Sequence, residues 1–228
     1  MTGVTGPRQV RTAFHDECAQ LVEVLAGLAD GDLDRPTDCP PWTVRELVAH
    51  VRAGAARLVD MLAAPAPSRA EVDATGYFGA AKFAPAVDAD RIDGGRRAAR
   101  AGDGAALAAD FDAAWRTTLD AVDRAPAGRV VRTRHGDAMA LAEFLRTRVV
   151  EVGVHGLDLA AALGRDPWLT PTAAAVIADL LTGGRPVPPE LGWDRLDLIR
   201  KITGRVPLAP HERLIVDAAG LRRLSFAG

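Results

Sequence analysis

Arg148, Glu151, His155 and Asp158 follow one another at spacings of three, four and three within the stretch from Leu141 to Leu163. If that stretch is one α-helix, the four side chains share a face, and Glu151 and His155 lie one turn apart with Cβ atoms about 5–6 Å from each other. Two ligands of one metal ion can bridge such a gap. A carboxylate and an imidazole set among Phe144, Val154, Leu159 and Ala162 are costly to bury unless something pairs with them, and a divalent cation is one such partner. A direct hydrogen bond between the two at a helix edge would also satisfy them, so the pair alone leaves both readings open. Arg148 and Asp158 are the candidate catalytic residues. Arg148, one turn before Glu151, either orients that carboxylate, which is the preferred role, or binds a carboxylate of a substrate. Asp158, one turn after His155, is placed to accept an imidazole N–H or to sit solvated near the helix end.

The elements that must position this face can be read from apolar spacing. Gln9 to Leu28 predicts a first helix, ending at Ala29-Asp30-Gly31; His15 and Cys18 on it read as a partly exposed histidine beside a core thiol. Thr43, with Glu46 three residues on, forms a capping box that starts a second helix running to about Leu62. His50 lies on that helix beside the buried stripe, as a structural histidine or as a ligand. Residues 64 to 103 form a long, proline- and glycine-rich connection. A structureless loop of that length is improbable in a compact domain, so a short helix is expected near Arg91 to Arg100, with Tyr77 to Phe83 packed over a mouth or an edge. Ala105 to Val122 predicts the third helix, with a core stripe of Leu107, Phe111, Trp115, Leu119 and Val122. Arg129 to Thr133 is a short β-like run and His135-Gly136-Asp137 a turn. The fourth helix follows and ends at Gly164, a C′ glycine. Beyond it, prolines separate helical candidates at 171–182, 193–203 and 210–219, and Leu221 to Phe226 reads as an extended tail. The expected organisation is mainly α: a four-helix bundle over residues 1–165 and a small, mostly helical appendage over 166–228.

Composition narrows the functions. With 228 residues, 48% of them hydrophobic, a sizeable core is available. A net charge of −2 with interspersed signs lacks the basic footprint of nucleic-acid or acidic-membrane binding. Two cysteines, Cys18 and Cys39, without a C-x-x-C spacing, support neither a disulfide scaffold nor a cysteine-based zinc finger. The N-terminus has no apolar leader core, and no run of 18 apolar residues occurs. A soluble cytoplasmic protein, monomeric or homodimeric, is the expectation. Cys39 precedes a helix N-terminus, which could lower its pKa, but the helix starts only near Thr43. A nucleophilic role is therefore not assigned, and Cys39→Ala should leave turnover nearly intact.

In a bundle of this kind, sites are built from inward-facing side chains on facing helices. His50 from the second helix with Glu151 and His155 from the fourth would give two imidazoles and one carboxylate, a set that leaves a catalytic zinc one open position. Nickel or iron(II) would accept the same ligands.

Three stretches resemble the mycothiol-dependent maleylpyruvate isomerase family of actinobacteria, one of the DinB-like metal-binding bundles. Arg35 to His50 looks like its proline-cysteine-tryptophan turn followed by a helix that ends in the first metal histidine, with Pro41 where many members have glycine. Arg148 to Leu159 looks like its R-x-x-E-x-x-x-H-x-x-D-L helix, and Ile202 to Leu208, with the closing Leu224-Ser225-Phe226, is similar to a tail found in many members. The resemblance implies a metal held by His50, Glu151 and His155, and mycothiol as the thiol cosubstrate. Coordination makes a thiol a thiolate at neutral pH. Adding it to a small electrophile and expelling it after bond rotation isomerises a double bond, whereas displacing a leaving group transfers the sulfur. A metal-dependent mycothiol S-transferase or isomerase is thus the leading expectation. The alternatives are a hydrolase using metal-activated water, and a binding or regulatory module with a structural metal.

Overall fold

The computed structural model describes residues 5–78, 99 and 102–224. Among them are nine α-helices, one 3₁₀ turn and a two-stranded hairpin. The bundle consists of α1 (Pro7–Ala26), α3 (Val44–Ala63), α5 (Gly104–Arg124) and α6 (Leu141–Leu163), with the single-turn helices α2 (Asp30–Leu33) and α4 (Ala74–Tyr77) in its connections. The C-terminal part adds α7 (Pro171–Thr182), the 3₁₀ turn Pro189–Leu191, α8 (Arg195–Ile202) and α9 (Pro210–Ala219). The fold is mainly α; the bundle helices and the three C-terminal helices start and end within two residues of the bounds expected from the sequence, and the single-turn α2 and α4 are additional.

Local chemistry fixes where the site-bearing helices begin and end. Thr43 caps α3 as predicted: its hydroxyl accepts from Glu46 N, and Glu46 Oε2 accepts from Thr43 N at 2.9 Å, a device that stabilises a helix by about 1 kcal/mol. Helix α6 stops at Gly164, whose φ of 65° and ψ of 35° place it in the left-handed region open to glycine.

Helix α1 packs on α5, α6 and α7; α3 packs on α5 and α6; and α7 packs on α6 and α8. One result differs from the expected amphipathic bundle. From Phe144 to Ala160 every residue of α6 is buried except Glu151, which is half-buried. The helix is enclosed by α1, α3, α4, α7 and the hairpin, so its polar face points into the molecule and Arg146, Arg148, His155 and Asp158 all need internal partners.

Strand β1 (Val130–Arg132) lies within the predicted β-like run and pairs antiparallel with β2 (Ala138–Ala140), with Val131 opposite Met139. Nothing in Ala-Met-Ala carries β propensity; β2 forms because the turn at His135 to Asp137 folds it back and because Glu71 brackets Ala138, donating N–H to its carbonyl at 2.8 Å and accepting its N–H on Oε2 at 2.8 Å. The hairpin leads directly into α6. The short helix expected near 91–100 falls, but for Ala99, outside the described residues, as do 79–83 of the expected Tyr77 to Phe83 lid and the tail beyond Leu224. Leu221 to Leu224 belongs to no helix or strand, and Arg222 N donates to Leu181 O at 2.8 Å. No helix among the described residues is long and apolar enough to cross a membrane.

Candidate metal centre

Helices α3 and α6 lie side by side, and each turns a histidine into the seam between them. His50 Nε2 donates to Glu151 Oε1 at 2.8 Å, and His155 Nε2 stands 3.8 Å from the same oxygen. The imidazoles meet edge to face, 5.3 Å between centroids. One donor atom from each of His50, Glu151 and His155 lies within 4.8 Å of the other two, so the structure brings together the three ligands that the sequence nominates.

Asp158 is 2% exposed and not a solvated carboxylate at a helix end. Its Oδ2 accepts from His155 Nδ1 at 2.9 Å, from Arg205 Nη2 at 2.7 Å and from Cys39 Sγ at 3.2 Å, while Oδ1 accepts from Arg205 Nε at 2.9 Å. Burial alone would raise its pKa, but the hydrogen bonds from His155 and Arg205 and the charges behind them outweigh that and hold it below the usual carboxylate range. An ionised Asp158 can only accept, so His155 Nδ1 bears a proton and Nε2 is the ring nitrogen turned toward Glu151.

Glu151 follows the same logic. Desolvation pushes its pKa up, and the opposing field of Arg148, the hydrogen bond from His50 and the charges of the two imidazoles bring it well below its ordinary value. Arg148 Nη2 lies 3.8 Å from Glu151 Oε2, Arg148 Nε donates to Thr147 Oγ1 at 3.1 Å, and the guanidinium covers the Phe144 ring at 4.8 Å. Room for it comes from Gly54 on α3, where a Cβ would stand 3.1 Å from Arg148 Nη1. The donor chemistry suits a divalent cation: two imidazoles and a carboxylate that is already ionised, with a shared proton between His50 and Glu151 where a cation would draw on the same two atoms.

Several members of the site have no periodic signature in the sequence. Arg205 arrives from the segment after α8, anchored by donating Nη1 to Thr203 O at 2.7 Å; the only sequence signal was its place in the Ile202 to Leu208 tail. Trp42 stacks on His50, 4.6 Å between centroids, from a turn held by Thr37 Oγ1 donating to Trp42 O at 2.8 Å. The same turn seats Cys39, whose N–H donates to Thr37 Oγ1 at 3.2 Å. Tyr77, on α4, packs edge to face on Phe144 at 5.7 Å and on His135 at 5.5 Å, so the predicted turn histidine borders the site without joining the ligands. His15 is exposed and meets Trp115, while Cys18 is buried elsewhere in the core.

A second group of cations lies beyond Arg148. Arg57, two turns along α3 from His50, has its pKa lowered first by burial and then by the nearby charges of Arg134 and Arg148. It makes no hydrogen bond or ion pair to a described residue.

The bundle and its inward-turned side chains define a class, the DinB-like helical bundles. Within it, the chain belongs to the mycothiol maleylpyruvate isomerase family: residues 14–160 match the model of that family's N-terminal domain. The chain is similar in fold to the crystal structures of a mycothiol-dependent maleylpyruvate isomerase and of a histidine-to-alanine mutant of it, each with a TM-score of 0.51 and 15% identity over 78% of this chain and 70% of the other. No curated protein matches this chain.

Proposed function

We propose that the chain is a thiol-dependent enzyme that holds a divalent cation, zinc in the first instance, on His50, Glu151 and His155, and acts with mycothiol on a small anionic electrophile as an isomerase or S-transferase. The observation that carries the metal reading is the convergence of the three donor atoms within 4.8 Å of one another; family membership supports the thiol. A divalent cation there would supply the Lewis acidity that lets a bound thiol ionise at neutral pH.

The chain's own residues have distinct tasks. Asp158 fixes the His155 tautomer so that Nε2 presents its lone pair to the cation, and Arg205 holds Asp158 in place. Arg148 keeps Glu151 ionised and oriented, so both candidate catalytic residues act by positioning ligands. Trp42 restricts the His50 ring. Arg57, with Arg134 and Arg148 behind it, offers a charge that the described protein leaves unpaired, which suits a carboxylate on the electrophile. Isomerisation then needs no oxidant or reductant: the sulfur adds to an unsaturated carbon, the former double bond rotates, and the sulfur departs with the electron pair it brought. Cys39 donates to Asp158 from a buried position, which fits a structural thiol rather than a nucleophile.

The test is elemental analysis of the wild type and of His155→Ala, followed by addition of mycothiol to the cobalt-substituted protein. Near-stoichiometric metal that the variant loses, together with a sulfur-to-cobalt absorption band on adding mycothiol, is the expected result. Folded protein that takes up no divalent metal would overturn the metal reading, and metal with no thiol response would overturn the thiol. Arg57→Gln should raise KM for a carboxylate-bearing electrophile by roughly tenfold and leave kcat little changed.

A further inference from the structure

A well-formed hollow among the described residues lies apart from the candidate metal centre. A cavity of about 590 Å³ opens between the first two turns of α1, the length of α7, and the segment from Gly184 into α8. None of the residues placed at the metal centre lines it. Its volume falls within the range that takes small organic ligands. Its apolar wall is formed by Val176, Val187, Trp193 and Leu198, and its charged rim by Arg8 and Arg195.

Of the two carboxylates that reach the cavity, Asp179 is paired with a cation and Asp194 caps a helix. Asp179 Oδ2 accepts from Thr5 N at 3.2 Å and from Arg146 Nη1 at 3.3 Å. Asp194 caps α8, its Oδ1 accepting from Asp197 N at 2.8 Å. A third rim arginine, Arg185, is also used, donating Nε to Thr182 O at 3.2 Å and Nη2 to Gly220 O at 2.7 Å. The guanidiniums of Arg8 and Arg195, in contrast, bond no described residue. The charge in the cavity that no described residue pairs is therefore mainly cationic, above an apolar floor that includes Trp193. A cation would meet the guanidiniums of Arg8 and Arg195 against the single carboxylate of Asp194 that no arginine pairs.

We propose that this cavity is a second ligand site, separate from the metal centre, that takes a small carboxylate with an apolar body: the carboxylate between Arg8 and Arg195, the body against Val176, Val187 and Trp193. Arginine forks match a carboxylate geometrically, and the apolar floor contributes by burial. The inner wall is rigid, because Arg146 on α6 ties Thr5 O at 2.6 Å and Asp179 together.

The experiment is calorimetric titration of the full chain with γ-phenylbutyrate and with its neutral amide. One site is expected for the acid, with the amide weaker by roughly tenfold or more. Arg8→Gln combined with Arg195→Gln should bring the acid down to the amide's affinity and leave the amide unchanged. Ala175→Trp, which fills the cavity from an exposed position on α7, should abolish both. His155→Ala should change neither, so the result stands or falls apart from the metal centre. Equal affinity for acid and amide, insensitivity to the arginine pair or to Ala175→Trp, loss of binding in His155→Ala, or no one-site binding at millimolar ligand would each overturn the proposal.

Discussion

Glu17 is a carboxyl group on α1 that is 1% exposed and forms no ion pair with a described residue; Thr170 N at 2.9 Å and Thr170 Oγ1 at 2.7 Å donate to its Oε2. Burial dominates, partly offset by those two hydrogen bonds, and pushes its pKa up to about 7 from 4.5. The native state therefore binds this proton more tightly than the unfolded chain. By linkage, the stability that the protonated form supplies is complete below about pH 4.5 and is lost as pH rises to about 7, at most about 3 kcal/mol. Glu17→Gln keeps an acceptor for Thr170 and removes the titration. Urea unfolding should show the variant more stable than the wild type at about pH 8, with the advantage vanishing near pH 4.5; parallel stability curves for the two proteins across that window would show that another group titrates. At the candidate metal centre the residue-level expectation concerns Asp158. Asp158→Asn removes the charge that holds His155 Nδ1–H, and metal affinity should fall by roughly 10- to 100-fold, measured by competition with a chelating dye.

The elements answer to closer packing than periodicity reveals. Gly104, the first residue of α5, sits against the last turn of α1: a Cβ there would stand 2.5 Å from Leu25 O and 3.0 Å from Leu28 O. Both are backbone atoms that cannot turn aside. Gly104→Ala should therefore cost about 1–3 kcal/mol, seen as a lowered thermal midpoint with the helical circular dichroism intact; an unchanged midpoint would mean that α5 can slide on α1. Nothing before Asp103 in the sequence marks this glycine as a contact, since the clash lies with residues some 80 positions away. Capping and period, being local, made the bounds of α1, α3, α5 and α6 legible beforehand. The second strand and the single-turn α4 were not, because each exists through a partner distant in sequence: β2 through Glu71 and β1, α4 through Glu143 Oε2, which accepts from Ala74 N at 3.1 Å. The face of α6 was read correctly, but its all-round burial was not, since a run such as Val149-Val150 with Val152 looks the same whether one side or every side is covered.

At the scale of the whole molecule, the C-terminal part does more than cover the bundle. One continuous cluster of buried side chains runs from Val10 and Phe14 through Val154 and Leu159 to Ile177, Ile199 and Val216. Arg222 crosses to α4, donating Nη1 to Thr75 Oγ1 at 2.7 Å. Arg205 reaches furthest into function, because it joins a segment beyond α8 to Asp158 and through it to His155. The i, i+3 and i, i+4 candidate site residues of α6 can be found from spacing, whereas an arginine 47 positions after Asp158 offers no spacing to find. The bidentate pair makes a quantitative claim. Arg205→Met preserves much of the apolar stem but leaves Asp158 buried with only His155 Nδ1 and Cys39 Sγ as donors, and losing one partner of a buried pair costs about 3–5 kcal/mol. In an Asp158→Asn background the same substitution removes a cation that no longer faces an anion, so its cost should fall by about 2 kcal/mol or more. Denaturant unfolding of the four proteins in this cycle measures the difference. If Arg205→Met costs the same in both backgrounds, the arginine acts through its packing on the bundle, and the C-terminal part supports the candidate metal centre only by covering it.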